Sequence, residues 1–242
     1  MKIASKTDIG KVRSTNQDSF AAGELNDGTA WAVVCDGMGG ANGGNIASAN
    51  AVTIVSEYIS SSYHEGMDSN SLRTLLQSAL YGANVRLYDM ANKIESLSGM
   101  GTTVVVTIVS NGVAHIAHAG DSRAYIIHDG ELSQITRDHS VVQTMVDKGQ
   151  ITEEEAKNHP NKNVITRALG VGEEVDIEYN EIPFQNDDCI LICTDGLTNF
   201  VTHDDIERVV EEYDFDEYPQ VLIDMANENG GGDNITVVAL KY

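Results

Sequence analysis

Residues 102–136 read TTVVVTIVSNGVAHIAHAGDSRAYIIHDGELSQIT, and this stretch decides the fold. Apolar and β-branched residues run in strand-length blocks broken at Asn111-Gly112 and Asp129-Gly130. Those pairs supply the positive φ angles that two-residue hairpins require, so the segment is a β-meander. Outward from it, residues 2–8 and 30–36 read as strands, and more strands are expected at 174–180, 188–194 and 234–241. Helical patterns fill the gaps. In GGNIASANAVTIVSEYIS, residues Ala47, Ala51, Ile54, Val55 and Ile59 recur at three- and four-residue intervals. From about Ser71 a longer pattern puts Leu72, Leu75, Leu76, Ala79, Leu80, Ala83, Leu87, Met90 and Ile94 on one side. Two more fall between 194 and 234, the first opened by Thr202 with Asp205 three residues on. Antiparallel hairpins mixed with long helices favour an α+β fold, helices packed on antiparallel sheets, over an alternating βαβ one. With no linker or repeat in sight, one domain over 1–242 is the economical reading.

Composition narrows the function. The net charge is -22 and no basic stripe exists, which argues against nucleic acid as a partner. Between Glu173 and Asp233 the only Lys or Arg is Arg208, so most of these carboxylates read as a solvated acidic face. No stretch approaches the ~20 apolar residues needed to cross a bilayer, and MKIASKTDIG lacks a secretory apolar region. Cys35, Cys189 and Cys193 lie in strand-like runs and read as buried thiols of a reducing compartment. A cytoplasmic monomer with no membrane partner is expected.

Two Asp-Gly pairs behave unlike the hairpin ones. Asp27-Gly28 and Asp129-Gly130 sit in polar surroundings just before a strand, whereas Asp36-Gly37 and Asp195-Gly196 follow the buried-looking runs WAVVC and CILICT. Each alone could be a simple loop start. A strand of that kind nevertheless delivers its aspartate to the edge of the core, where an unpaired carboxylate is costly. Asp121 after VAHIAHAG, Asp233 before ITVVAL and Asp18 in VRSTNQDSF share this context. The arginines are too scattered to neutralise them all, so divalent cations are the better answer. Hard carboxylate oxygens, with a backbone carbonyl such as that of Gly37, suit Mn²⁺ or Mg²⁺. Zinc is disfavoured because the cysteines lack ligand spacing and the histidines are dispersed, reading as strand, turn or cap residues.

The segments VRSTNQDSF, VVCDGMGGANGG, GMGTTVVV, AHAGDSRAY, TRDHS, NVITRALG, LICTDGL and GGDNITVV occur in an order that resembles the metal-dependent (type 2C, PPM) Ser/Thr protein phosphatases in their bacterial single-domain form. The resemblance spans residues 8–241. It implies a four-layer α-β-β-α sandwich: two antiparallel β-sheets flanked by helix pairs, metals at one end, and a helical flap near the active site over about 139–165. By the same likeness, Asp36 would bridge two core ions and Gly37 would offer its carbonyl to one. Asp195 and Asp233 would hold the second ion, and Asp121 with Asp195 a third. Asp18 would act through metal-bound water, and Arg13 would hold the substrate's phosphate. The implied reaction is hydrolysis of phosphoserine and phosphothreonine in proteins by a metal-bridging water or hydroxide, reversing a bacterial Ser/Thr kinase. That kinase and its substrates would be the partners.

One position departs from the family. Animal relatives carry a proton-donating histidine where this chain has Met38, which cannot donate. A metal-bound water or another residue must then protonate the leaving oxygen. His139 in TRDHS is a candidate, although a helix-capping role for that segment competes. The glycine run at 37–44 lacks nucleotide-loop spacing and reads as letting backbone approach the ions before launching a helix. A cysteine-dependent phosphatase is excluded, because Ala41, Asp195 and Asn199 stand six residues after the cysteines where arginine is required. A metal-dependent phosphodiesterase or nuclease, and a catalytically silent phosphoprotein-binding domain, are the alternatives. The flap is expected to help select substrates.

Overall fold

Two antiparallel sheets, one of five strands and one of six, face each other in a computed structural model that describes residues 1–25 and 27–242. Asn26 and the side chains of residues 40–42 lie outside the described residues, including that part of the glycine run. In chain order the elements begin with β1 (Lys2–Asp8), β2 (Asp18–Glu24), β3 (Ala30–Met38), α1 (Gly40–Ser62) and α2 (Ser69–Lys93). The meander follows as β4 (Gly101–Thr102), β5 (Val104–Ser110), β6 (Val113–Ala119), β7 (Arg123–His128) and β8 (Glu131–Gln134). Then come α3 (Val141–Asp147), α4 (Glu153–Lys157), β9 (Glu178–Pro183) and β10 (Cys189–Cys193). The chain closes with α5 (Asp195–Thr198), α6 (His203–Glu212), α7 (Tyr218–Glu228) and β11 (Ile235–Lys241).

One sheet runs β1-β11-β10-β7-β8; the other runs β2-β3-β5-β6-β9, with β4 paired to the end of β3. Both hairpin pairs adopt the expected backbone, with φ of 51° and 75° at Asn111-Gly112 and 52° and 84° at Asp129-Gly130. The period of two then sorts the strands' side chains into layers. Ala32, Val34, Val105, Ile116, Ile190, Ile192, Val238 and Leu240 fill the space between the sheets. Their neighbours Val33 and Cys35 turn outward onto α1 and α2. Leu191, Cys193, Val237 and Ala239 turn the other way, onto α6 and α7. The result is the four-layer α-β-β-α order. All three cysteines are free and buried.

Several boundaries differ from the sequence pattern. β2 has no local signal, because DSFAAGE holds no β-branched residue to announce a strand. β9 starts at Glu178 rather than 174, since pairing begins at Glu178↔His118 while Val175 and Ile177 pack in the helix-side core as irregular chain. Ile94 caps α2 and is 44% exposed, so it leaves the buried stripe. α5, a single turn directly after β10, is likewise absent from the pattern.

The segment 139–165 is a helical excursion tied at its base by a bridge between Ser140 and Ile165. Ser140 caps α3 by accepting from the Gln143 amide. Thr152 and Glu155 form a capping box on α4.

Candidate metal centre and active site

Asp18 opens β2 directly opposite Asp36 on β3. Both belong to the inter-sheet face, in phase with Phe20 and Ala22 on one strand and Ala32 and Val34 on the other. The opposing sheet supplies Thr194 and Thr236, in phase with Ile190, Ile192, Val238 and Leu240. These two hydroxyls donate to Asp18 Oδ2 at 2.9 and 2.7 Å. The other oxygen, Oδ1, is buried with no partner.

The Asp36 peptide is held on both sides. Its N–H donates to Thr103 Oγ1 at 2.9 Å, and its carbonyl accepts from Thr102 Oγ1 and the Thr103 amide at 2.8 Å each. Gly37 is required by close approach rather than by turn geometry. A Cβ there would sit 2.0 Å from the Gly44 carbonyl and 2.7 Å from that of Gln17. The start of α1 therefore lies on the strand end itself.

The second Asp-Gly pair repeats the device. A Cβ on Gly196 would lie 1.9 Å from the Asn234 carbonyl oxygen and 3.5 Å from Asp233 Cβ. Glycine at this position lets the start of α5, with Asp195, meet the start of β11, with Asp233. Asp195 Oδ2 accepts from Asn199 Nδ2 at 2.9 Å, and its Oδ1 is buried without a partner.

Asp233 accepts from its neighbour's amide and from Arg13 Nη2 at 2.8 Å. The Arg13 side chain is half exposed. Asn234 fixes the loop that carries it: Oδ1 accepts from the Gln17 amide at 2.8 Å, while Nδ2 donates to the carbonyls of Ile9 and Thr15 at 2.9 and 3.0 Å.

Asp121 follows Gly120, whose φ is 118° and whose Cα leaves no room for a Cβ beside Thr103. The Thr103 hydroxyl that receives the Asp36 amide also shares a hydrogen bond of 2.7 Å with Ser122. Asp36 and Asp121 are thus set relative to each other through two buried hydroxyls.

The electrostatics show how tightly the carboxyls crowd. Burial pushes Asp36 well above the ordinary carboxylate range, and the charges of Asp18, Asp195, Asp121 and Asp233 push it further. Asp18 and Asp121 are each driven up to about 7, foremost by burial and then by Asp195. Asp195 is raised by burial first and then by the charge of Asp233, with the hydrogen bond from Asn199 opposing. The Arg13 guanidinium is raised first by Asp233, with smaller pulls from Asp36 and Asp195. The structure therefore brings Arg13, Asp18, Asp36, Asp121, Asp195 and Asp233 to one end of the sandwich.

Like charges gathered out of water with orphaned oxygens fit a divalent cation better than they fit any other partner. The donors are hard oxygens, which suits Mn²⁺ or Mg²⁺.

His139 lies elsewhere. Its Nδ1 accepts from the Gly120 amide, and Nε2 faces Glu178 and Arg167. Burial, with the neighbouring His118, lowers its pKa to about 4. Both ring nitrogens are taken up by Gly120, Glu178 and Arg167, which removes it as the proton donor suggested by sequence. His118, His139 and Glu178 do bring one donor atom each within 4.8 Å of one another. The Arg167 guanidinium already sits 3.0 Å from His139 Nε2, so this group is built as a hydrogen-bonded cluster.

A cleft of about 740 Å³ opens between the flap and α5–α6, lined among others by Asp121, Asp195, Asn199, Lys157, Lys162 and His203. It runs directly off the acidic cluster.

Sequence reasoning missed Thr194, Thr236, Asn199, Asn234, Thr103 and Ser122. A signal existed for two of them: Thr194, directly after β10, and Thr236 in β11 are polar residues in phase with the inward side of apolar runs.

Fold and site together define a two-sheet protein with a buried cluster of carboxylate oxygens at one end. Residues 11–236 match the family model for protein phosphatase 2C, and the chain belongs to that family. It is 39% identical over 239 residues to a putative protein phosphatase 2C-type of Streptococcus pyogenes, covering 98% of this chain and 96% of that one. The structure superposes on the serine/threonine phosphatase of S. agalactiae with a TM-score of 0.92 and 35% identity, over 100% of this chain and 99% of the other. It also superposes on the catalytic domain of the phosphatase PstP, solved with two manganese ions, with a TM-score of 0.86 and 34% identity over 98% and 96% of the chains.

Proposed function

We propose that this protein hydrolyses phosphoserine and phosphothreonine in phosphoprotein substrates, using Mn²⁺ or Mg²⁺ held by Asp36, Asp195 and Asp233, the Gly37 carbonyl, and Asp121 with Asp195 at a third position. The observation that carries the reading is the pair of buried, unpartnered oxygens, Asp18 Oδ1 and Asp195 Oδ1, inside a knot of mutually repelling carboxyls. Bound there, the cations supply activation of water and neutralisation of phosphoryl charge.

The chain's own residues do the rest. Thr194 and Thr236 fix one oxygen of Asp18, leaving the other to orient water beside the centre. Arg13, half exposed and anchored through Nη2 on Asp233, has further guanidinium N–H groups for the substrate's phosphoryl oxygens. Met38 donates no proton, so the leaving oxygen takes its proton from water.

A single catalytic domain over 1–242, with 139–165 as its flap, fits the shared inter-sheet core and the cleft beside the site. The reaction that supplies the substrate is phosphorylation by a Ser/Thr kinase. Three buried free thiols fit a reducing cytoplasm, where the protein is taken to work as a monomer. The test is hydrolysis of p-nitrophenyl phosphate and of a phosphothreonine peptide with Mn²⁺, with Mg²⁺ and with chelator, for the native chain and Asp195→Ala. Turnover requires cation and Asp195; turnover that survives both chelation and substitution overturns the proposal.

A further inference from the structure

The histidine displaced from proton transfer has a different place in the molecule. Gly120 and His139 are joined by reciprocal bonds: the Gly120 amide donates to His139 Nδ1 at 3.2 Å, and the His139 amide donates to the Gly120 carbonyl at 2.9 Å. The ring is fixed on every side. It stacks on His118 at 4.5 Å with 7° between planes, and His118 Nε2 is itself bound to the Arg137 carbonyl at 2.9 Å. Nε2 of His139 faces Glu178 at 3.3 Å and Arg167 at 3.0 Å, and Arg167 is anchored on Asp176 at 2.7 Å. The His139 carbonyl accepts from the Thr166 amide at 2.7 Å, and the next residue, Ser140, caps the flap's first helix. One residue therefore touches both strands of the flap's base and the peptide immediately before Asp121.

We propose that His139 is a positioning residue that clamps the Gly120–Asp121 turn to the base of the flap, so that cation affinity at Asp121 depends on the state of that base. The inference rests on the reading of Asp121 as a ligand. Gly120 packs against Thr103 so closely that a Cβ would lie 2.6 Å from it, and Thr103 with Ser122 sets Asp121 against Asp36. Partners that orient ligands from behind typically change metal affinity by about 10–100-fold when removed.

The experiment uses the full chain and Mn²⁺ as probe. Calorimetric Mn²⁺ isotherms are recorded for the native protein, Asp121→Ala, His139→Ala, His139→Gln and His139→Asn, with Gly120 amide exchange followed by NMR in chelator. Asparagine places an oxygen where Nδ1 stands, whereas glutamine and alanine do not. Asp121→Ala is expected to remove one class of Mn²⁺ site. His139→Ala and His139→Gln should weaken that same class about tenfold or more and speed Gly120 exchange; His139→Asn should restore most of both. Circular dichroism melts in chelator identify any variant that fails to fold, and the asparagine–glutamine contrast then decides.

If Asp121→Ala removes a site class while all three His139 variants keep the native isotherm and Gly120 protection, the clamp is wrong. It is equally wrong if asparagine and glutamine behave alike, since a merely structural role would not separate them. If Asp121→Ala leaves the isotherm unchanged, the ligand reading of Asp121 fails, and the claim on metal affinity falls with it.

Discussion

Asp18 on β2 and Asp36 on β3 stand opposite each other in antiparallel register, both in the space between the sheets. Like charges so placed destabilise a sheet unless something positive is added. Here they sit at the end where the second sheet brings Asp195 and Asp233, so the cost of folding falls on the cation-free protein.

A pH dependence follows. Asp18 and Asp121 are raised from an ordinary 3.8 to about 7 in the folded protein. Between those values the folded chain holds protons that the unfolded chain has released, so their contribution to stability falls as pH rises from about 4 to 7. In chelator, Asp18→Asn should flatten the fall in melting temperature across that window, and saturating Mn²⁺ should flatten it in the native protein. Equal slopes for the native chain and Asp18→Asn in chelator would show that Asp18 does not titrate as described.

Glycine substitutions should divide sharply by position. Gly196→Ala places a methyl 1.9 Å from the Asn234 carbonyl and should cost about 1–3 kcal/mol or more, with loss of Mn²⁺ binding. Gly82→Ala, exposed within α2 with nothing near its Cβ, should stabilise by about 0.5–1 kcal/mol. Urea titrations in chelator and in Mn²⁺ check both.

Asn234→Ala cuts three bonds that hold the Ile9–Gln17 loop, and with it Arg13. Misplacement of the guanidinium should lower kcat/KM for a phosphothreonine peptide by about 10–100-fold. The Mn²⁺ isotherm should change less. A steady-state series beside calorimetry separates the two effects.

Salt should act on encounter. With a net charge of -22, the protein repels anionic substrates at long range while bound cations dominate close in. kcat/KM for a multiply phosphorylated acidic peptide should rise at moderate ionic strength. A steady fall over the same range would contradict this.

Most of the strands, the cap of α6 and the aspartates at strand ends were legible because each rests on local chemistry. Asn111-Gly112 needs only its own φ angles, and Thr202 needs only Asp205. The aspartates betrayed themselves by ending apolar runs. β2 and α5 were not legible, because Asp18–Glu24 takes its strand from pairing with β3 and Asp195–Thr198 is one turn long. Nor was the true place of His139, since Gly120, Glu178 and Arg167 lie between 19 and 39 residues away along the chain.

β1 and β11 run side by side, with Asp8 beside Ile235 at the aspartate end and Lys2 beside Lys241 at the other. Both chain ends consequently emerge from the rear of the sandwich. A surface tether or fluorescent fusion joined at Tyr242 would leave the mouth of the cleft facing away from its attachment, free to meet bulky targets.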